Sequence, residues 1–253
     1  MKRAFIALSH GSRHPQAARG VDELVAATAR ATGAYGVAAH LEFNQPTLAD
    51  ATLALQRRGF EQATVMPLLF TNGFHMRHDV PNVISHTRGV DLHLTSGMGT
   101  GEGVLSALQQ RLARDIAPGE NPHVILYAVG SSNVPANEAV MRLSVRLADA
   151  TGFSTSALFA TSGAGKAGYL WGNEGLRLQA TAHPRVHVLP LFVTQGLLLD
   201  HLNAELPGLM DTTRSHITSS APLGTLLSDV LAHRFTQSLR ITSASAAGAH
   251  QTT

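Results

Sequence analysis

The chain has 253 residues, of which 44% are hydrophobic and 14% are charged, and its formal net charge is +2. This composition favours a compact α/β protein and argues against disorder over most of the chain. The slight basic excess is too weak and too scattered for nucleic-acid binding, and it suits an anionic small-molecule ligand. Because the sequence contains no cysteine, a metal would have to be held by His, Asp or Glu rather than by thiolates.

The N-terminal sequence and the overall hydropathy argue against a membrane protein. The apolar run at residues 5–8 is too short for a signal sequence and ends at a Ser-His-Gly-Ser turn. No stretch approaches the ~20 apolar residues that a membrane-spanning helix needs. We therefore expect no membrane association and a cytoplasmic location, which also suits a chain without cysteine.

Hydrophobic patterning predicts strands alternating with helices in the first half of the chain. This alternation indicates right-handed βαβ units and a parallel sheet. The predicted elements are, in order, a strand at 4–8, a helix at 15–31, a strand at 37–43, a helix at 47–58, a strand at 63–70, a helix after Pro81, a strand at 90–94 and a helix at 103–114.

After a turn-rich break at residues 118–122 the sequence repeats itself. Three matches in the same order predict two similar parallel-sheet α/β domains, 1–117 and 123–240, with a cleft between them. The low-complexity tail, 241–253, is expected to be disordered. The matching segments are 124–131 with 5–12, 188–196 with 65–73, and 223–225 with 98–100, at offsets of 119, 123 and 125 residues.

Two histidines that follow predicted strands of the first half are absent from the second. His10 follows the first strand, and His75 follows the third. At the corresponding offsets the second half has Val129 and Leu198. Because ligands bind at the carboxyl ends of the strands in open α/β sheets, we expect the chemistry to reside in the first half. The second half would then preserve the shape of the cleft.

The residues after His10 predict an anion-binding turn. Gly11 and Ser12 form a tight turn into a helix, and free N–H groups at such a turn can hold an anion. Arg13 adds a forked donor that suits a carboxylate or a phosphate. The simpler interpretation, that His10 only caps the turn, remains open at this stage.

Three other kinds of site are disfavoured. A hydrolase that uses Ser9 or Ser12 would need an Asp-His relay, and none is near these serines in the sequence. The Arg-His-Gly order of histidine phosphatases is also absent. Residues 163–166 resemble a phosphate-binding loop, but Ala167 follows the lysine where Ser or Thr is required. We therefore expect neither a nucleotide nor another organic cofactor.

Three segments together resemble the signature segments of the class II tetrapyrrole chelatases of the CbiX/SirB type. They are Ser-His-Gly-Ser-Arg at 9–13, Leu-Glu-Phe-Asn-Gln-Pro-Thr-Leu at 41–48, and Gly-Phe-His-Met-Arg-His-Asp-Val-Pro at 73–81. Their order and spacing fit, and the duplicated architecture resembles the long two-domain form of this family. The resemblance covers most of residues 1–235.

The resemblance implies a lyase that inserts Fe²⁺ or Co²⁺ into sirohydrochlorin without ATP, toward sirohaem or cobalamin. The metal is then a substrate, and it would be held by His10 and His75, the paired catalytic imidazoles. Glu42 would lie on the cleft wall as the carboxylate for proton removal. Neutral imidazole suits this task, because it binds Fe²⁺, Co²⁺ or Ni²⁺ and accepts protons near neutral pH.

The resemblance also suggests how the substrate is bound. Ser12, Arg13, Arg77 and His78 are the candidates for binding the carboxylates at the rim of sirohydrochlorin. An internal duplication would let a monomer build the cleft that a shorter chain makes by dimerisation. The alternative is a protein of the same fold that binds metal or tetrapyrrole without catalysis.

Overall fold

The computed structural model describes residues 3–71, 80–166 and 168–249, and for residues 241–249 it describes the backbone alone. The elements of the first half are β1 (Ala4–Ser9), α1 (Ala17–Thr32), β2 (Tyr35–His40), α2 (Leu48–Arg57), β3 (Gln62–Pro67), α3 (Val80–His86), β4 (Asp91–Leu94) and α4 (Glu102–Asp115). The four strands form one parallel sheet in the order β2-β1-β3-β4.

The second half repeats this arrangement with one additional short helix. Its elements are β5 (His123–Ala128), α5 (Val134–Thr151), β6 (Thr155–Phe159), α6 (Ser162–Lys166), α7 (Gly172–Ala182), β7 (Arg185–Pro190), α8 (Leu197–Thr213), β8 (His216–Ser219) and α9 (Ser228–Ala249). The strands form a second parallel sheet in the order β6-β5-β7-β8.

The strand positions reproduce the offsets of the sequence repeat. The starts of β1 and β5 are 119 residues apart, those of β3 and β7 are 123 apart, and those of β4 and β8 are 125 apart. The predicted fold class, two similar parallel-sheet α/β units, is therefore confirmed. None of the helices in the described ranges is long and apolar enough to cross a membrane.

The side chains of the central strands alternate between two hydrophobic cores. The outer core lies between a sheet and its own flanking helices, and the inner core lies between the two halves. On β1, Ile6 and Leu8 pack outward against α2, whereas Phe5 and Ala7 face the inner core. On β5, Ile125 packs outward against α7 and α8. The inner core runs without interruption from one sheet to the other, so burial of apolar surface fixes the two halves against each other.

The last helix of each half packs with the opposite half. On α9, the Phe235 ring lies 5.7 Å from the Phe5 ring, and the Ser238 hydroxyl lies 3.0 Å from the Thr64 hydroxyl on β3. Helix α4 lies beside α5, where the Gln109 amide donates to a carbonyl of that helix. The predicted domains, 1–117 and 123–240, thus exchange their final helices. Hydrophobic periodicity marks the buried face of a helix, but not the sheet that covers it.

Two strands end three residues earlier than predicted. Strand β2 ends at His40 instead of 43, and β3 ends at Pro67 instead of 70. Within the predicted disordered tail, 241–253, α9 continues as helix from residue 241 to Ala249. This segment is rich in alanine, the strongest helix former.

Buried histidines on the strands are hydrogen-bonded to hydroxyl groups of neighbouring strands. His123 on β5 contacts the hydroxyls of Ser154 and Ser156 at 2.9 and 2.8 Å, and its ring stacks on His183 with 3.8 Å between centroids. Burial, and secondarily the electrostatic effect of the neighbouring His183, lowers the pKa of His123 to about 4. Burial also lowers the pKa of His187.

We expect the protein to lose stability when the pH falls from 7 to 5. Within this window His123 stays neutral in the folded protein but becomes protonated in the unfolded chain. The unfolded state then binds more protons, so the free energy of unfolding decreases as the pH falls from about 6.5 toward 4. His123 alone should account for a loss of roughly 2 kcal/mol by pH 5.

Denaturant unfolding at pH 7 and pH 5 measures this loss. His123→Gln keeps a hydrogen-bonding side chain that does not titrate, so the loss should become smaller. His216→Gln replaces an exposed histidine on β8 and serves as the control, with the loss unchanged. Equal losses in all three proteins would contradict the assignment to His123.

Candidate functional site

A cleft of about 730 Å³ lies between the two halves. Its walls are the segments that follow the central strands β1, β3, β5 and β7, as expected for ligand binding at the carboxyl ends of parallel strands. Both halves contribute, and the walls are mostly apolar. The lining includes residues 9–13 and 68–71 of the first half and residues 128–131 and 191–198 of the second.

His10 lies on the cleft wall directly after β1. Its carbonyl accepts the N–H of Glu42 at 2.9 Å, so the loop that carries it is tied to the loop after β2. The Nδ1 of His10 lies 3.4 Å from the carbonyl oxygen of Gly11. This contact favours the tautomer with the proton on Nδ1, which places the lone pair on Nε2. That lone pair can bind a metal ion or accept a proton.

The turn after His10 depends on a glycine. Gly11 has φ +92°, and a Cβ placed there would overlap the carbonyl oxygen of Glu42 and lie 2.9 Å from its carbonyl carbon. The N–H of Gly11 donates to the Ser9 hydroxyl at 3.1 Å, and the N–H of Ser12 donates to the Asn44 side chain at 2.7 Å. The prediction of free N–H groups for an anion is therefore wrong at these two positions, because side chains of the protein already occupy them.

His40, for which the sequence predicts no role, stabilises this turn through a hydrogen bond. Its Nδ1 lies 2.7 Å from the Ser9 hydroxyl, and both residues line the cleft. Burial lowers the pKa of His40, while the charge of Asp22 opposes that shift in part. The Ser9 hydroxyl therefore contacts both the His40 ring and the Gly11 N–H, and these two hydrogen bonds stabilise the turn. Nothing in the sequence pairs these residues, which lie on different strands.

Arg13, a predicted substrate-binding residue, also lines the cleft, as does Ser12. The central carbon of the Arg13 guanidinium lies 4.9 Å from the centre of the Phe43 ring. This is a cation–π contact, which orients the arginine without neutralising its charge. The guanidinium can therefore still pair with a carboxylate at the cleft. Phe43 lies in the second signature segment, 41–48, but no pattern in the sequence distinguishes it from its neighbours.

The predicted carboxylate, Glu42, is exposed, and it is not among the described residues that line the cleft. Its backbone is close to His10, through the N–H that donates to the His10 carbonyl. The role of Glu42 in proton removal stays a prediction.

Three other predicted site residues, His75, Arg77 and His78, lie outside the described residues. Within the described ranges, no group of three His, Asp or Glu side chains is arranged to hold a metal ion. The pairing of His10 with His75 therefore stays a prediction. The described residue that precedes this segment, Thr71, lines the cleft.

The second half has an apolar wall where the first half has His10. Val129 takes the corresponding place and is 44% exposed on the cleft. The turn that follows it is covered by α6, the additional helix of this half, because a Cβ on Gly130 would lie 2.9 Å from the Cβ of the buried Ala164. The second half thus differs from the first in shape as well as in chemistry.

A hydrogen bond to a carboxylate joins the two halves beside the cleft. The Nε2 of His14, in the loop after β1, lies 3.3 Å from a carboxylate oxygen of Asp200 on α8. The N–H of Gln16 donates to the Nδ1 of His14 at 3.1 Å, so the ring proton resides on Nε2 and points at the carboxylate. This contact helps to fix the distance between the two walls.

Comparisons with known proteins agree with this architecture. The CbiX family model matches residues 4–115. A sirohydrochlorin cobaltochelatase of Sulfurisphaera tokodaii is 32% identical over 72 residues, which are 28% of this chain and 60% of that protein. A sirohydrochlorin ferrochelatase of Priestia megaterium is 26% identical over 230 residues, which are 86% of this chain and 83% of that protein.

A solved structure extends the likeness to the whole fold. SirB from Bacillus subtilis, determined with Fe³⁺, superposes with a TM-score of 0.76 at 20% identity, over 94% of this chain and 96% of that one. At this identity the structure shows the shared two-domain fold. With the CbiX match in the first half and this fold over both halves, the chain is similar to the class II chelatases of the CbiX/SirB type.

Proposed function

We propose that this protein inserts a divalent metal ion, Fe²⁺ or Co²⁺, into sirohydrochlorin without ATP, in the synthesis of sirohaem or cobalamin. The observation that carries the proposal is the position of His10 on the wall of a cleft between two chelatase-like halves. The relatives named sirohydrochlorin cobaltochelatase and ferrochelatase support the choice of substrate. The metal ion is a substrate of this reaction.

Insertion replaces two pyrrole N–H protons of the macrocycle with one divalent ion, so the site must accept protons and present the metal. His10 and His75 would hold the ion through imidazole nitrogens, which suit Fe²⁺, Co²⁺ and Ni²⁺. Holding by two side chains is weak enough for the ion to leave for the macrocycle, unlike a closed four-ligand site. Imidazole, together with Glu42 as the candidate carboxylate, would accept the released protons.

The cleft offers separate surfaces for the two parts of the substrate. The apolar segments after β5 and β7 would contact the flat ring. Ser12, Arg13, Arg77 and His78 would bind rim carboxylates, with arginine able to do so through two parallel hydrogen bonds. Because one chain supplies both walls, we infer a monomer, and we place it in the cytoplasm.

The direct test is an anaerobic absorbance assay with purified protein, sirohydrochlorin and Fe²⁺, Co²⁺ or Ni²⁺ in separate reactions. The proposal predicts insertion well above the spontaneous rate for at least one of these ions. A rate equal to the spontaneous one, with sirohydrochlorin still bound, would instead support a non-catalytic tetrapyrrole-binding protein.

A further inference from the structure

Phe43 has a backbone conformation that aromatic residues rarely adopt. Its φ is +63°, in the left-handed region that favours glycine, and its side chain is 53% exposed. A bulky side chain in this region is strained, and an exposed aromatic ring recovers little of that cost through burial. Such strain is typically retained at functional sites.

The surrounding loops hold Phe43 in place. The N–H of Asn44 donates to the Glu42 carbonyl at 2.7 Å, which closes a tight turn around Phe43. The Asn44 side chain in turn accepts the N–H of Ser12 at 2.7 Å, and the N–H of Glu42 donates to the His10 carbonyl. The segment that carries Phe43 and the segment that carries His10 therefore form one rigid unit.

This unit places the ring beside His10 on the cleft wall. The rings of Phe43 and His10 are 6.1 Å apart between centroids, and the Arg13 guanidinium lies over the Phe43 ring. The second half contributes two exposed apolar side chains to the same cleft, Val129 and Leu197, at 44% and 45% exposure. The cleft thus carries apolar surface from both halves next to an imidazole and a cation.

We propose that Phe43 is a substrate-positioning residue. Its ring contacts the flat, conjugated macrocycle beside His10 and keeps the Arg13 guanidinium directed at a carboxylate on the rim. A planar ligand with anionic edges is the class that this combination fits, because an aromatic ring packs on a conjugated surface and arginine pairs with carboxylate. This inference rests on the proposed function and deepens it.

The substitution Phe43→Gly separates positioning from folding. It removes the ring and also the backbone strain, so the melting temperature should stay the same or rise by about 2–4 °C. The Kd for metal-free sirohydrochlorin, followed by macrocycle fluorescence, should increase at least about tenfold. In the insertion assay, KM for sirohydrochlorin should increase by a similar factor while kcat changes less than about threefold. Phe43→Tyr should restore most of the affinity.

Tyr35 provides a matched control. The Arg58 guanidinium lies over its ring at 4.9 Å, the same arrangement as Arg13 over Phe43, but Tyr35 is not among the described residues that line the cleft. Tyr35→Ala should therefore leave the Kd and KM for sirohydrochlorin unchanged.

The outcomes distinguish this inference from the proposed function. If the wild-type protein binds sirohydrochlorin but inserts no metal, the proposed function fails, and the Kd of Phe43→Gly still decides the inference. Normal Kd and KM in Phe43→Gly, with wild-type turnover, would overturn the inference alone. A marked fall in its melting temperature would overturn it in favour of a structural role, and absence of sirohydrochlorin binding by the wild type would overturn both.

Discussion

His10→Ala is expected to lower the metal-insertion rate by at least about a hundredfold, the lower end of what a positioned general base contributes. The histidine lies on the cleft wall, and its contact with the Gly11 carbonyl places a lone pair on Nε2. Alanine removes both the proposed metal ligand and the proton acceptor. Because the side chain of His10 is only partly buried, the substitution should change the melting temperature by no more than about 2 °C.

Insertion rates with Fe²⁺ and Co²⁺, corrected for the spontaneous reaction, measure this effect alongside the melting temperature. His233→Ala is the matched control, since His233 is an exposed histidine on α9 that does not line the described cleft. Its rate should equal that of the wild type. If the insertion rate of His10→Ala were within about threefold of the wild-type rate, His10 would have no catalytic role.

Much of the fold was predictable because the duplicated sequence carries the same hydrophobic pattern twice. The three offsets between matching segments recur as the offsets between the starts of the corresponding strands. Alternating helical and apolar segments also gave a parallel sheet in each half. Both signals are local or repeated in the sequence. They predict helices and strands because each element forms with its apolar face buried.

The exchange of α4 and α9 was not predictable from the same signals. The apolar face of α4 or α9 could cover the sheet of its own half or that of the other half. The sequence pattern of the helix is the same in both cases, so it does not show which half the helix packs against. The Thr64–Ser238 hydrogen bond joins residues 174 positions apart, and no pattern in the sequence predicts it. The sequence therefore predicts two similar units that face each other, but it does not predict the exchange of helices that ties them together.

At the candidate site, too, local sequence patterns were predictive and contacts between distant residues were not. The residues that follow β1 were identified because a strand end followed by His-Gly-Ser-Arg is a local pattern. The side chains that fix this turn, His40 and Asn44, are 31 and 32 residues away from their partners in the sequence. Their hydrogen bonds explain why the expected free N–H groups of Gly11 and Ser12 are already occupied.

Gly11→Ala is expected to destabilise the protein by roughly 3–5 kcal/mol, the sum of a positive-φ cost and a steric cost. The φ of Gly11 is +92°, and the new Cβ would overlap the Glu42 carbonyl oxygen. That carbonyl belongs to the turn that carries Phe43, so relief of the overlap must move this turn away from His10. Insertion activity should fall together with stability.

A second glycine separates the two costs. Gly119, in the segment between α4 and β5, has φ +87°, but nothing lies within 4 Å of a Cβ placed there. Gly119→Ala should therefore cost only about 1 kcal/mol, the conformational part, and should leave insertion unchanged. Denaturant unfolding of both variants measures the difference, which is the cost of the close approach between Gly11 and Glu42. Equal losses would show that the packing of these two loops does not constrain the position of His10.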